Sequence, residues 1–265
     1  MKNLVYISCS FSDQYIIILE ILLESLVTLG KVNFTTTDVL IMTDNILHQK
    51  IVDLCNKLKI PAKFIVSDIK TKFDAAAYRL NIFNYSEIDK YSKLLYLDCD
   101  IVIVNDINTI FALDLENKLY AGSEETSTSY MHGNHIWMRQ SEKNPNKTTF
   151  STGLLLFNNC TEIKNLFIET NNTIIELADL KADGAWEQPY LNYCTIKNNL
   201  YAGNIIDKYL IISCKSGVNA KINNQIIFYH INCTLHKHTY MKTIFLNSCK
   251  LKQSGGFKLK YILIS

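Results

Sequence analysis

The sequence predicts an α/β fold, with a Rossmann-like, mostly parallel sheet, helices on both faces and a polar lid loop. Three observations carry this reading. Residues 4–66 alternate apolar strand runs with helical ones in the order βαβαβ, the pattern that wraps a parallel sheet in helices. Hydrophobic residues make up 48% of the chain and charged residues 20%, with 9 Gly and 3 Pro among 265 positions, the composition of an ordered chain with a sizeable core. Third, an apolar run, Lys93-Leu94-Leu95-Tyr96-Leu97, is closed by Asp98-Cys99-Asp100 and followed at once by Ile101-Val102-Ile103-Val104. Alternation along an extended chain puts both carboxylates on one face.

The elements follow in order. Leu4 to Cys9 is a short apolar strand, after which Ser12 or Asp13 can cap a helix whose far end falls at Gly30. Asp38 to Met42 reads as a second strand, Ile46 to Leu58 as an amphipathic helix and Lys63 to Val66 as a third strand. Ligands of such sheets bind beyond the carboxyl ends of the strands, so residues 8–15 and 43–45 should face one. Phe73 to Asp89 reads as a helix leading into the Asp-x-Asp strand, and Ile107 to Leu113 as a short helix leaving it. Tyr120 to Ser123 suits a strand. From Glu124 to Thr149 the composition turns polar around the isolated Trp137, as in a long loop or lid over a site. Then come strand Gly153 to Phe157, helix Ile163 to Leu177, helix Gln188 to Ile196 with Pro189 in its first turn, and strands near Tyr209–Ile212 and Gln225–Tyr229. The Gly255-Gly256 hinge divides a main domain, residues 1–250, from a C-terminal appendage, residues 251–265.

The formal net charge of +2 gives no electrostatic case for nucleic acid. Eight cysteines without a C-x-x-C pair, most of them in apolar stretches, read as reduced core residues. Ser10, Ser12 and Asp13 break the apolar run at residues 4–9 before it reaches the length of a signal sequence, which favours a cytoplasmic chain. Tyr15 to Leu29, the one stretch resembling a membrane span, carries Glu20 and Glu24 and is too short. No integral membrane segment is expected. Lys250, Lys252, Lys258 and Lys260 near the end read as a solvated tail or a contact with an anionic surface.

Asp98 and Asp100 offer two hard oxygen ligands for a divalent cation such as Mg²⁺ or Mn²⁺, whose remaining positions would stay free for phosphate oxygens. That chemistry suits a diphosphate. His132-x-x-His135 in the polar segment lacks further ligands and reads as solvated loop residues rather than a second metal pair. Trp137 either stacks on a sugar or anchors its segment to the core.

Six segments, in order, resemble the glycogenin-like glycosyltransferases, family 8 of the retaining sugar-nucleotide transferases with a GT-A fold. Asp13-Gln14-Tyr15 resembles the family's Asn-Asp-x-Tyr, with Ser12 in place of Asn. Tyr78-Arg79-Leu80-x-Ile82-Phe83 resembles the Arg-Leu-x-x-Phe element. Tyr91-x-Lys93 through Asp100 is close to its strongest signature. Phe150-Ser151-Thr152-Gly153 is similar to Phe-Asn-Ser-Gly, and Glu187-Gln188-Pro189-Tyr190-Leu191-Asn192 to Asp-Gln-x-x-Leu-Asn. The strand Ile226-Ile227-Phe228-Tyr229-His230 looks like the one that ends in the third metal ligand. The family's lysine position after it falls on His236, with Lys237 one step later.

The resemblance implies a metal-dependent transfer of a hexose from a UDP-sugar to a glycan or glycoprotein acceptor. Asp98, Asp100 and His230 would hold Mn²⁺ or Mg²⁺, Mn²⁺ suiting a mixed carboxylate and imidazole set better. Ser8, Ser10, Asp13, Tyr15, Arg79, Asp98, Cys99 and Lys237 would meet the donor, Tyr15 by stacking on uracil. Gln188 would lie near the anomeric carbon, with Glu187 or Asp183 on sugar hydroxyls or Glu187 as a nucleophile. Self-glycosylation and a homodimer are left open. The competing reading is a non-catalytic nucleotide-sugar or glycan-binding module derived from a transferase, suggested by Ser151 and Glu187 standing where the family has Asn and Asp.

Overall fold

The computed structural model describes residues 1–183, 186–212, 225–231 and 236–253. Its first half follows the alternation in the sequence: β1 (Lys2–Cys9), α1 (Gln14–Thr28), β2 (Thr37–Asp44), α2 (His48–Leu58) and β3 (Ala62–Ser67). Next come α3 (Lys72–Ala77), β4 (Tyr91–Leu97), β5 (Ile101–Ile103), α4 (Asn108–Phe111), β6 (Leu119–Thr126), α5 (Asn134–Arg139) and β7 (Thr148–Asn158). The remainder comprises α6 (Thr161–Glu176), α7 (Gln188–Lys197), β8 (Tyr201–Ala202), β9 (Leu210–Ile212), β10 (Phe228–His230) and α8 (Lys237–Gln253).

The main sheet has the order β3-β2-β1-β4-β7-β6-β8. Its pairings are parallel except those of β7 with β4 and with β6, which makes the sheet mixed and mostly parallel, as expected. The chain runs outward from β1 through β2 to β3 and returns to β4 on the other side of β1, so a crevice opens at the carboxyl ends of β1 and β4. There the Asp98-Cys99-Asp100 turn carries the chain out of the main sheet. It enters a second, three-stranded sheet, β5-β10-β9.

Strand alternation sorts the core into two layers. Val5, Ile7, Val39, Ile41, Leu95 and Leu97 face α1, α2 and the small sheet, while Leu4, Tyr6, Leu40, Met42, Leu94 and Tyr96 face α6 and α7. The second layer is tied to the sheet by an amide clasp. Buried Asn192 of α7 accepts from the Phe150 N–H and donates to the Phe150 carbonyl, each at 2.9 Å. Asn192→Leu keeps the volume but strands both backbone groups. It should cost about 2–4 kcal/mol in urea unfolding, and a loss below about 1 kcal/mol would show that water reaches β7.

Two expectations are corrected. The single helix expected over 73–89 is broken into α3, a 3₁₀ segment (Tyr78–Asn84) and another (Ile88–Lys90). Tyr78, Arg79, Leu80 and Ile82 are all buried, and four buried positions in five cannot share one stripe of an α-helix. The segment tightens and lies between β1 and α6. The lid expected over 124–149 is not an open loop either. β6 runs to Thr126, β7 starts at Thr148, and a 3₁₀ turn (Tyr130–His132) with α5 fills the interval. Trp137 is 5% exposed and packs edge-on to Tyr193 of α7 at 4.7 Å, so it anchors this segment to the core.

Among the described residues no helix is long and apolar enough to cross a membrane. Cys9, Cys55, Cys99 and Cys194 are buried free thiols, and Cys160 and Cys249 are partly buried; Cys214 and Cys233 lie outside the described residues. The boundary expected at 250/251 falls inside α8, which packs on α1 and β5. The Gly255-Gly256 hinge lies outside the described residues.

Candidate active site

The site grows from the end of β4. The Asp98 N–H donates to the Gly153 carbonyl at 2.8 Å, and the Asp100 carbonyl accepts from Ile231 N–H at 3.0 Å. These two bonds fasten the turn to β7 and to the end of β10. They bring His230 to the carboxylates, so that one ligand atom from each of Asp98, Asp100 and His230 lies within 4.8 Å of the others. His230 Nε2 stands 3.2 Å from one Asp100 oxygen, and Lys237 Nζ 2.5 Å from the other.

Burial tends to raise the Asp100 pKa, but His230 and Lys237 outweigh it and hold the carboxyl well below the usual range. Burial correspondingly works against the charge of His230 and Lys237, and Asp100 overcomes it, raising both. Asp100 Oδ1 is buried with only His230 Nε2 beside it, and His230 Nδ1 is buried without a hydrogen-bond partner. A half-buried and a buried carboxylate beside a buried imidazole fit a divalent cation.

The His230 ring packs against Gly153, where a Cβ would come 2.3 Å from Cε1 and 2.7 Å from Nε2. This explains the glycine of the Ser151-Thr152-Gly153 motif. Gly153→Ala should displace the imidazole and weaken Mn²⁺ binding by about tenfold or more, with about 1–3 kcal/mol of destabilisation. Mn²⁺ titration followed by electron paramagnetic resonance checks this. Unchanged affinity would show that His230 is not a ligand.

Behind the metal cluster lies a buried charge network. Arg79, 7% exposed, reaches Asp98 at 3.1 Å and Glu187 at 3.4 Å, donates to the Thr152 carbonyl at 2.8 Å and stacks over the Tyr96 ring at 4.5 Å. Tyr96 in turn donates to Asp98 at 2.6 Å. Glu187 is 2% exposed and accepts from Thr152 Oγ1 at 3.0 Å. Burial raises its pKa, against the pull of Arg79.

At the N-terminus of α7, Gln188 Oε1 accepts from the Thr152 N–H at 3.1 Å, and Gln188 Nε2 lies 3.5 Å from Glu124. Glu124 is met at 3.3 Å by His132. His135 Nδ1 lies 3.0 Å from the Tyr130 carbonyl. Among the described residues only Asp98, Asp100 and His230 form a metal-ligand cluster.

The remaining expected residues occupy the rim. Cys99 Sγ donates to the Ser8 carbonyl at 3.3 Å, clipping the ends of β1 and β4 together. Its hydrogen-bonding interaction with Cys9, then burial, raises its pKa and keeps it a neutral thiol. Ser10 is 5% exposed. Tyr15 is 46% exposed at the start of α1 and feels Lys237, Asp100 and Asp98. Asp13 turns outward to a salt bridge with Lys50 at 2.6 Å. Ser151 is buried. Asp183 ends a 3₁₀ segment (Ala178–Asp183), and its side chain lies outside the described residues. Thr152, Tyr96 and His132 stood in quoted motifs and Glu124 at the start of the polar segment, but none was expected at the site, because their contacts arise from pairing between elements distant in sequence.

The fold and this cluster define a class, the GT-A glycosyltransferases, in which an Asp-Asp-His set sits at the carboxyl edge of a Rossmann-like sheet. The profile of glycosyl transferase family 8 matches residues 6–194, and the chain belongs to that family. Among solved structures it is similar to the galactosyltransferase LgtC in complex with donor and acceptor sugar analogs, at 12% identity and TM-score 0.63, over 92% of this chain and 95% of that one. It is also similar to the glycosyltransferase GlyE of Streptococcus pneumoniae TIGR4, at 16% identity and TM-score 0.57 over 94% and 64%. Mouse xyloside xylosyltransferase 1 aligns at 12% identity and TM-score 0.59, over 88% and 98%. At these identities the likeness is one of fold. No curated protein sequence matches the chain.

Proposed function

We propose that this protein is a metal-dependent retaining hexosyltransferase that moves a sugar from a UDP-sugar to a glycan or glycoprotein acceptor. The observation that carries the reading is the joining of Asp98, Asp100 and His230 in one cluster beside Lys237, at the switch point of a family 8 fold. Asp98, Asp100 and His230 would hold Mn²⁺ or Mg²⁺, which when bound supplies positive charge to a leaving diphosphate. Lys237, one-third exposed, would turn from Asp100 toward a phosphate oxygen. Tyr15 at the rim would stack on the base.

Arg79 acts from below, fixing Asp98 in orientation rather than meeting the donor. Glu187 is enclosed by Arg79 and Thr152, which suits holding Arg79 better than nucleophilic attack. Gln188 is held by Thr152 and Glu124 and presents a carboxamide dipole, a weak nucleophile but a stabiliser of developing positive charge at the anomeric carbon. Retention then follows a front-face path. The bond from the anomeric carbon to the phosphate oxygen breaks as the acceptor oxygen attacks on the same face, and the acceptor proton passes to the departing phosphate.

UDP release across a panel of UDP-sugars, each with Mn²⁺ and with chelator, tests this. Mn²⁺-dependent turnover of one sugar is the expected result. Tight UDP binding without turnover of any sugar, with or without saccharide acceptors, would favour the binding-module reading.

A further inference from the structure

His132 is buried beside the candidate site, yet it belongs to neither the metal cluster nor the Arg79 network. It stands in a polar segment, where an imidazole is expected in solvent. Instead it faces Glu124 of β6 at 3.3 Å, the two side chains being 6% and 10% exposed. Enclosing a carboxylate is costly unless a charge or a hydrogen-bond donor meets it. One such donor is the Gln188 carboxamide, whose Nε2 lies 3.5 Å from Glu124 Oε2. His132 Nε2 approaches that same oxygen.

Gln188 is thereby clamped at both ends. Its Oε1 accepts from the Thr152 N–H at 3.1 Å and from Thr152 Oγ1 at 3.4 Å, so the amide nitrogen turns to Glu124. The Thr152 end is fixed by the backbone of β7. Glu124 is a long side chain, and its oxygen needs a second partner to stay in one place. His132 supplies that partner and is itself held. Gly133 beside it has φ +101°, a conformation that favours glycine, and a Cβ there would come 2.9 Å from the Pro189 carbonyl. The turn is therefore seated on the first turn of α7. Asn144 ties the segment together, donating to the Ser127 carbonyl at 2.7 Å and to Asn134 Oδ1 at 3.0 Å, and Trp137 packs on Tyr193. The contacts close a ring, from α7 through the turn to His132, on to Glu124 and Gln188, and back to α7.

We propose that His132 is a positioning residue for the transfer: through Glu124 it holds the Gln188 carboxamide in one orientation, its oxygen at Thr152 and its nitrogen at β6. The segment that resembles a lid in the sequence is then a brace for the start of α7. The role in turnover rests on the transferase reading above, whereas the hold on Gln188 does not. A carboxamide that stabilises charge at one carbon must be closely placed, and a displacement of about 1 Å costs about 10²-fold in rate.

Steady-state kinetics and side-chain NMR of the full chain test this together. His132→Ala should lower kcat by about 10- to 100-fold and leave KM for the UDP-sugar within about twofold. His132→Gln, whose amide nitrogen can stand in for Nε2, should recover most of the loss. In a Gln188→Ala background, His132→Ala should cost less than about twofold more, because the group it positions is gone. His135→Ala alters the same segment at the Tyr130 carbonyl and should leave kcat unchanged. Thermal melting of each variant controls for folding. An unchanged kcat in His132→Ala, an additive loss in the double variant, or an equal loss in His135→Ala would overturn the proposal. If the parent turns over no UDP-sugar, the transferase reading alone fails, and NMR decides for His132. In protein labelled with ¹⁵N-glutamine, the Gln188 side-chain amide signals are identified by their loss in Gln188→Ala. They should broaden in His132→Ala, as the carboxamide gains motion, and sharpen again in His132→Gln. Line widths indifferent to His132→Ala would show that His132 does not hold Gln188.

Discussion

Asp100→Asn should lower Mn²⁺-dependent UDP release by about 10²–10⁴-fold, the several kcal/mol that a positioned cation contributes to a leaving diphosphate. The substitution keeps the shape and removes one of two anionic ligands. It also removes the partner of two cations, because Asp100 meets His230 at 3.2 Å and Lys237 at 2.5 Å. A stability loss should therefore accompany the loss of activity in chelated protein. Its pH dependence follows from the shifts. The Asp100 pKa is depressed from 3.8, so its contribution is present above that value and fades as pH falls through the folded one. The His230 pKa is raised from 6.5, so its contribution is full below that value and fades as pH rises through the folded one. Unfolding of both proteins with chelator should show the widest gap between these limits, at about pH 4–6.5. A gap that widens steadily above neutrality would show that His230 is not charged in the folded state.

Arg79→Met should cost about 3–5 kcal/mol of unfolding free energy, the penalty for leaving buried charge unpaired. Methionine retains most of the packing on Tyr96. It leaves Glu187, 2% exposed, without its cation, and Asp98 held by Tyr96 alone. The gap from the parent should narrow in acid as Glu187, whose pKa burial already raises, takes up a proton. Urea unfolding at two pH values measures both effects. A loss under about 1 kcal/mol, independent of pH, would show that Glu187 reaches water.

These two residues show what the sequence made legible. Asp98 and Asp100 were legible as a candidate pair at the end of an apolar strand, although a turn, not the extended alternation expected, brings them together. The βαβαβ half was legible because its periodicity is local. His230 was legible only through resemblance. Its partnership with Asp100 comes from a strand of the small sheet, more than a hundred residues away, and no local pattern encodes that pairing. Arg79 and Glu187, expected at the donor and the sugar, are buried 3.4 Å from each other. The Glu187 side chain reaches inward to Thr152 and Arg79, a fact that depends on where the 3₁₀ segment after α3 lies. The segment 124–149 looked like a loop because its residues are mostly polar, yet Ile136 and Trp137 are buried and Trp137 packs on Tyr193, fixing α5 against α7.

The most direct measurement is calorimetric titration of UDP into the protein with Mn²⁺, repeated with chelator and with His230→Ala. UDP affinity should rise by about tenfold or more with Mn²⁺, and this gain should vanish in the variant. Equal UDP affinity under all three conditions would contradict a metal-bound diphosphate at Asp98, Asp100 and His230.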